Sequence, residues 1–143
     1  MATHAQRVAT LIRALEARIA GDSTHVADLY VDDVQGRGPA MSVSSAAELA
    51  VEVEDRDGAF TEIELDVSPI EVSGEGACVE WVVALTHSGP FALADDTVIE
   101  PTGTRVTLHG VTVAEFAGDK IASFREYWDE VELLAQLATV AVE

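Results

Sequence analysis

The hydrophobic period of this chain changes at Phe60 and returns to the helical spacing only in its last residues. Before it, apolar residues recur every three or four positions, as in helices that bury one stripe. From Phe60 onward they recur mostly at every second position, as in strands that bury one face. A chain patterned this way needs helices laid on one side of a sheet, which is an α+β arrangement.

The helical part divides into three. Val8, Leu11, Ile12, Leu15 and Ile19 predict a first helix over residues 3–20, ended by Gly21. Asp22, Ser23 and Thr24 offer caps for a short second helix with Val26, Leu29 and Tyr30 inward, broken by Asp32 and Asp33. Residues 34–40 contain Gly36, Gly38 and Pro39 and predict a weak strand or an edge turn. Ser45 with Glu48 fits a capping box for a third helix along Ala46, Leu49, Ala50 and Val53, ending at Asp57 and Gly58.

In the strand part, Ile63, Leu65 and Val67 alternate with Glu62, Glu64 and Asp66, and Pro69 marks a bend or an edge. Residues 78–86 predict the next strand. A connection over 87–103, rich in Gly, Pro and Asp, is long enough to be a lid or flap. Residues 105–116 and 121–128 predict a hairpin turning at Gly118-Asp119, and Val131, Leu134 and Leu137 a short closing helix. No linker interrupts the pattern, so residues 1–143 read as one domain. A concave sheet covered by helices leaves an interior hollow suited to a small molecule.

Charge and cysteine content narrow the function classes. With 26 acidic against 8 basic residues the formal net charge is −18, a field that repels nucleic acid and anionic membranes. No apolar run is long enough for a membrane span, and the N-terminal stretch reads as no signal peptide. Cys78 is the only cysteine, which excludes an internal disulfide and gives no zinc spacing; with the missing signal peptide it suggests the cytoplasm. Asp95 and Asp96 are adjacent carboxylates without further ligands, so no metal is expected.

Two segments carry a family resemblance. WVVALTHSGPF at 81–91 and EPTGTRVTLHGVTVAEFAGDKIASFREYWDEVELLAQL at 100–137 resemble the SnoaL-like polyketide cyclases of the nuclear transport factor 2 superfamily. The resemblance implies a cone-shaped curved antiparallel sheet with three N-terminal helices and a short C-terminal one. It also implies a pocket for a small apolar molecule, acid-base catalysis without a cofactor, and often a homodimer through the outer sheet face, where Val111 and Val113 would lie. It names no substrate, because the superfamily holds cyclases, epoxide hydrolases, ketosteroid isomerases and proteins that only bind.

By that resemblance the pocket-facing carboxylate position falls on Glu126. Strand alternation then puts Phe124 and Trp128 on its face and turns Arg125 and Tyr127 away. A carboxyl between aromatics is a candidate general base or acid; the alternative is a glutamate satisfied by Arg105, Arg125 or water. Trp81, Val83, Leu85 and His87 share the pocket face of the preceding strand. His87 is expected near the mouth, where it exchanges a proton with the substrate or bridges to Glu126; the alternative is a merely solvated imidazole. Thr112, Tyr30 and Phe91 complete the candidate ligand contacts, with ordinary core packing as the alternative for the aromatic residues.

The groups of two named chemistries are missing. Positions that carry the tyrosine and aspartates of ketosteroid isomerases fall on Ala14, Gly38 and Thr112, and those of the Arg-x-Asp pair of limonene-type epoxide hydrolases on Trp81 and Val83. The expectation is therefore a cofactor-independent acid-base enzyme of the cyclase, isomerase or hydrolase type. The alternative is a non-catalytic ligand-binding module of the same fold.

Overall fold

The chain was analysed as a computed structural model that describes residues 2–39, 41–54, 59–92 and 96–141, and of residues 92 and 138–141 the backbone alone. Helix α1 (His4–Ala20) opens on a capping box: the Thr3 hydroxyl accepts the Gln6 N–H at 3.1 Å, and the Gln6 side chain accepts the Thr3 N–H at 2.8 Å. Val8, Leu11, Ala14 and Leu15 form its buried stripe. After α2 (Val26–Leu29) the chain enters strand β1 (Tyr30–Gly38), then β2 (Met41–Val43) and α3 (Ala46–Glu54). The Ser45 hydroxyl caps α3 by accepting the Glu48 N–H at 3.1 Å. The expected helix end at Asp57 and Gly58, like Ala40 and Asp95, lies outside the described residues.

The long strands follow as β3 (Phe60–Ile70), β4 (Ala77–His87), β7 (Arg105–Ala117) and β8 (Lys120–Trp128), and α4 (Glu130–Ala141) closes the chain. Between β4 and β7 the expected lid carries a two-stranded ribbon, β5 (Phe91–Ala92) and β6 (Val98–Ile99). The main sheet runs β2-β1-β8-β7-β4-β3, antiparallel except where β1 lies parallel to β8. Pro69 sits on edge strand β3, where a missing N–H disrupts no second ladder.

One expectation changes and two details are resolved. Tyr30 does not belong to the second helix; it begins β1, and Asp32 and Asp33 lie where the β1–β8 register slips between Tyr30 and Gln35. Of the two readings of residues 34–40, the strand holds over 34–38 and the edge turn does not, because β1 is sandwiched between β2 and β8. In α4 the buried pair is Leu133 and Leu137, while Val131 is 71% exposed. The reason is docking geometry: the Gln136 side chain bonds both the N–H and the carbonyl of Thr107, at 3.0 and 2.9 Å. That amide satisfies β7 backbone beyond the end of β8, and it fixes which face of α4 turns inward.

Three glycines make room for large side chains across the sheet, and at the first of them, Gly36, a Cβ would meet the Phe124 ring at 2.2 Å. Gly110 lies between Trp81 and Trp128 in the strand registers, and a Cβ there would meet the Trp81 ring at 2.1 Å. Gly38 lies beside Glu126, and a Cβ there would come within 3.1 Å of the Glu126 Cγ. Gly110→Ala should therefore overpack the sheet and lower unfolding free energy by about 2 kcal/mol in urea titrations. A stability matching the parent would show that the Trp81 indole is free to move aside.

Candidate functional site

The concave face of the sheet, roofed by α1 and α3, encloses a cavity of about 290 Å³, at the small end of ligand pockets. Its walls are mostly apolar: Leu15 and Ile19 from α1, Phe60, Ile63 and Leu65 from β3, and Val83 and Leu85 from β4. Trp81 and Trp128, the only tryptophans of the chain, both face it. The polar groups that converge on this space are Arg18, Glu52 and Glu126. A wider surface depression of about 740 Å³ lies between α1 and the β7–β8 turn, but its charged groups Arg13, Asp28 and Asp119 are exposed to water.

Glu126 is 8% exposed and points inward from β8, with Phe124 and Trp128 on the same face and Tyr127 turned outward. Its partner is neither Arg105 nor Arg125, which pair with Glu64 and Glu115 on the outer side. Instead, Oε1 of Glu126 accepts a hydrogen bond from Arg18 in the last turn of α1. Burial alone pulls the Arg18 pKa down, but the charge and hydrogen bond of Glu126 override it and leave the guanidinium raised above its ordinary value. Its carbon also sits 5.7 Å from the centre of the Phe124 ring, a cation-π contact. Glu52, exposed on α3 at the cavity rim, adds a second favourable charge.

Arg18 is not among the residues that the strand pattern singles out, although α1 carries a signal for it. It stands three residues after Leu15 and seven after Leu11, so it continues the buried stripe of α1. A charge on an apolar stripe needs a partner in the interior, and here β8 supplies it.

The remaining candidates divide into those at the cavity and those one layer behind it. Thr112 is buried directly opposite Glu126 in the β7–β8 register, and its hydroxyl accepts the Trp81 indole N–H at 3.0 Å. Phe124 packs against Arg18 and Tyr30, with the two rings 5.8 Å apart. Burial pushes the Tyr30 phenol up to about 12, so its proton is retained across the physiological range.

His87 does not lie at the mouth. It is fully buried, and its Nδ1 accepts the Thr102 N–H at 3.2 Å and lies 3.0 Å from the Thr102 hydroxyl. Its ring packs tilted against Phe60, with centroids 5.5 Å apart; Phe60 lines the cavity and His87 does not, and Phe91 packs against the same phenyl ring. The imidazole therefore fastens the 102–104 segment to β4, together with backbone bonds from His87 to Thr104 and from Gly103 to His87. Among the described residues no group of three or more His, Cys, Asp or Glu side chains is placed to hold a metal ion, and no helix is long and apolar enough to cross a membrane.

A buried charge stripped of its partner is more costly than the pair replaced as a whole. Arg18→Met should lower unfolding free energy by about 3 kcal/mol, because it leaves Glu126 unpaired. Adding Glu126→Leu to that variant should recover most of the loss in the same urea titrations. A double variant no more stable than Arg18→Met would mean that the pair is not coupled in solution.

Comparison with known proteins places this geometry. The family model described as SnoaL-like polyketide cyclase matches residues 7–137. Among solved structures, a SnoaL-like protein from Jannaschia sp. CCS1 aligns at a TM-score of 0.78 and 16% identity, covering 94% of this chain and 93% of that one. AclR from Streptomyces galilaeus, described as a candidate hydroxylase, aligns at 0.75 and 24% identity over 96% and 83%. An LEH-like epoxide hydrolase of M. tuberculosis aligns at 0.71 and 17% identity over 97% and 94%. No curated protein matches the sequence. The structural likenesses establish the shared fold, and the family match spans nearly the whole length, so this chain belongs to the SnoaL-like polyketide cyclase family.

Proposed function

We propose that the protein is a cofactor-independent acid-base enzyme that closes, opens or isomerises a ring on a small, largely apolar molecule. The observation that carries this reading is a buried carboxylate, Glu126, fixed by Arg18 in an otherwise apolar cavity. Membership of a cyclase family supports it, as does the appearance of an epoxide hydrolase among proteins of the same fold.

The residues divide the chemistry as follows. Trp81 and Trp128 hold the apolar body of the substrate. A guanidinium carries five N–H donors, and among the described residues the Arg18 side chain gives one hydrogen bond, to Glu126. The others are available to a substrate oxygen on which negative charge develops. Glu126 takes a proton from an adjacent carbon and returns it after the bond rearrangement. Thr112, opposite Glu126 and bonded to Trp81, keeps the indole in place, and Glu52 at the rim offers a second carboxylate on the facing wall. Glu126→Gln should reduce turnover by about a hundredfold or more while leaving circular dichroism unchanged. Full activity in that variant would remove Glu126 from the mechanism. A substrate for the assay can be sought among ligands that co-purify, by native mass spectrometry.

A ligand-binding module without catalysis is the second reading. It is favoured by the position of His87 behind Phe60, which leaves the carboxylate without the imidazole partner expected from the sequence. Under it, Glu126→Gln changes affinity for the co-purified ligand and no chemical conversion of that ligand is seen in either form.

We also infer a homodimer through the outer sheet face, where Val111 and Val113 are half-buried and Tyr127 is 54% exposed. Sedimentation should give twice the chain mass, with Val113→Glu shifting it to the monomer; a parent protein that sediments as a monomer would count against this face as a contact.

A further inference from the structure

Strict alternation carried back from Ile63 would put Phe60 on the wet face with Glu62 and Glu64. The structure brings Phe60 and Ile63 to the cavity together. The register explains how: Thr61 pairs with Thr86 and Glu64 with Ala84, so three steps on β3 answer two on β4. One residue is extra, and Glu62 and Ile63 together oppose Leu85, which is a β-bulge. Glu62 adopts φ 52°, a left-handed conformation that is rare outside glycine.

A bulge leaves backbone groups out of the ladder, and one side chain takes up that role here. Arg105, at the start of β7, reaches across β4 on the outer face of the sheet. Its Nη1 donates to the Glu62 carbonyl at 2.5 Å and to the Thr86 hydroxyl at 3.0 Å, and its Nη2 donates to Glu64 Oε1 at 3.0 Å. The Thr86 hydroxyl in turn donates to Glu62 Oε2 at 3.2 Å. One planar fork thus binds the bulged residue, the residue two positions on, and the facing strand. On the inner side the bulged segment delivers Phe60, held between His87 and Phe91 at 5.5 Å from each.

We propose that Arg105 is a positioning residue: by pinning the bulge at Glu62 from outside, it sets the shape of the cavity wall formed by Phe60 and Ile63. It is not among the described residues that line the cavity, and it acts through the parity of β3. The inference rests on the cavity being a ligand site only for its effect on binding; the effect on the wall stands apart from that reading.

Two readouts test it. In the parent, nuclear Overhauser contacts should join the Phe60 and His87 rings, and 2-naphthol should quench Trp81 and Trp128 from within the cavity. Arg105→Met should abolish the ring-to-ring contacts and weaken 2-naphthol binding by about tenfold. Arg105→Lys should fail to restore either, because a single ammonium cannot bridge the same acceptors in a fixed fork. Adding Glu62→Gly to Arg105→Met should restore both, because glycine holds the left-handed turn without the clamp. A residue that merely stabilised the fold would lower the unfolding midpoint and leave the contacts and the affinity of the folded protein unchanged; that result overturns the proposal. Should Arg105→Met not fold, Thr86→Val removes one member of the clamp. It should weaken the contacts and the affinity in the same direction, by about two- to threefold; parent values in both readouts would likewise overturn the proposal. Because the ring contacts are read without ligand, a failed enzymatic reading leaves that arm intact.

Discussion

The interior of this molecule is organised around one ion pair, between Arg18 on the first helix and Glu126 on the last strand. Neither charge belongs in an apolar hollow alone, since a lone buried ion is far more costly than a pair. The pair is therefore satisfied in only one placement of α1 over the sheet: sliding the helix by a turn would carry Arg18 away and leave Glu126 unpartnered. It also gives the cavity its polarity, with a cation and a carboxylate at one place and aromatic and aliphatic walls elsewhere. The same low-polarity surroundings that make the pair necessary would strengthen its action on a bound molecule.

Around that pair the sheet accommodates large groups by local omissions and insertions. Gly38 leaves space for the Glu126 stem, and Gly110 leaves space for the Trp81 indole, whose N–H is tied to Thr112. The bulge in β3 does the opposite, adding a residue so that Phe60 faces inward, with Arg105 holding the irregularity from outside. His87 belongs to this supporting layer. Its ring lies under Phe60 and fastens the return of the chain at Thr102, so it acts on the cavity through packing and not by direct contact.

Much of the architecture was legible in the residues. The α1 stripe, the α3 cap at Ser45, the hairpin at Gly118-Asp119 and the edge position of Pro69 follow from local rules of periodicity, capping and turn chemistry. The inward facing of Glu126, Trp81 and Trp128 follows from alternation once the strands are placed. Where local rules misled, a tertiary partner had intervened. Tyr30 reads as helical by spacing but pairs with Ile121 as a strand residue. Local spacing marks the closing helix by Val131, Leu134 and Leu137 but does not give its rotation; Gln136 bound to Thr107 turns Leu133 and Leu137 inward.

What the sequence determined by itself is the four helices and four long strands, their order and most of the faces they bury, because hydrophobic period and turn residues act over a few neighbours; the short strand β2 and the β5–β6 ribbon are not among them. Only the tertiary structure decided which charge answers Glu126, which strand flanks β8, and on which side of Phe60 the imidazole of His87 lies. Those choices join residues as far apart as Arg18 and Glu126, whose meeting depends on how the helix crosses the sheet. A carboxylate on an inward strand position announces that it needs a partner, but many cations satisfy that need equally on paper. The packing of α1 against β3 and β4 selected one of them.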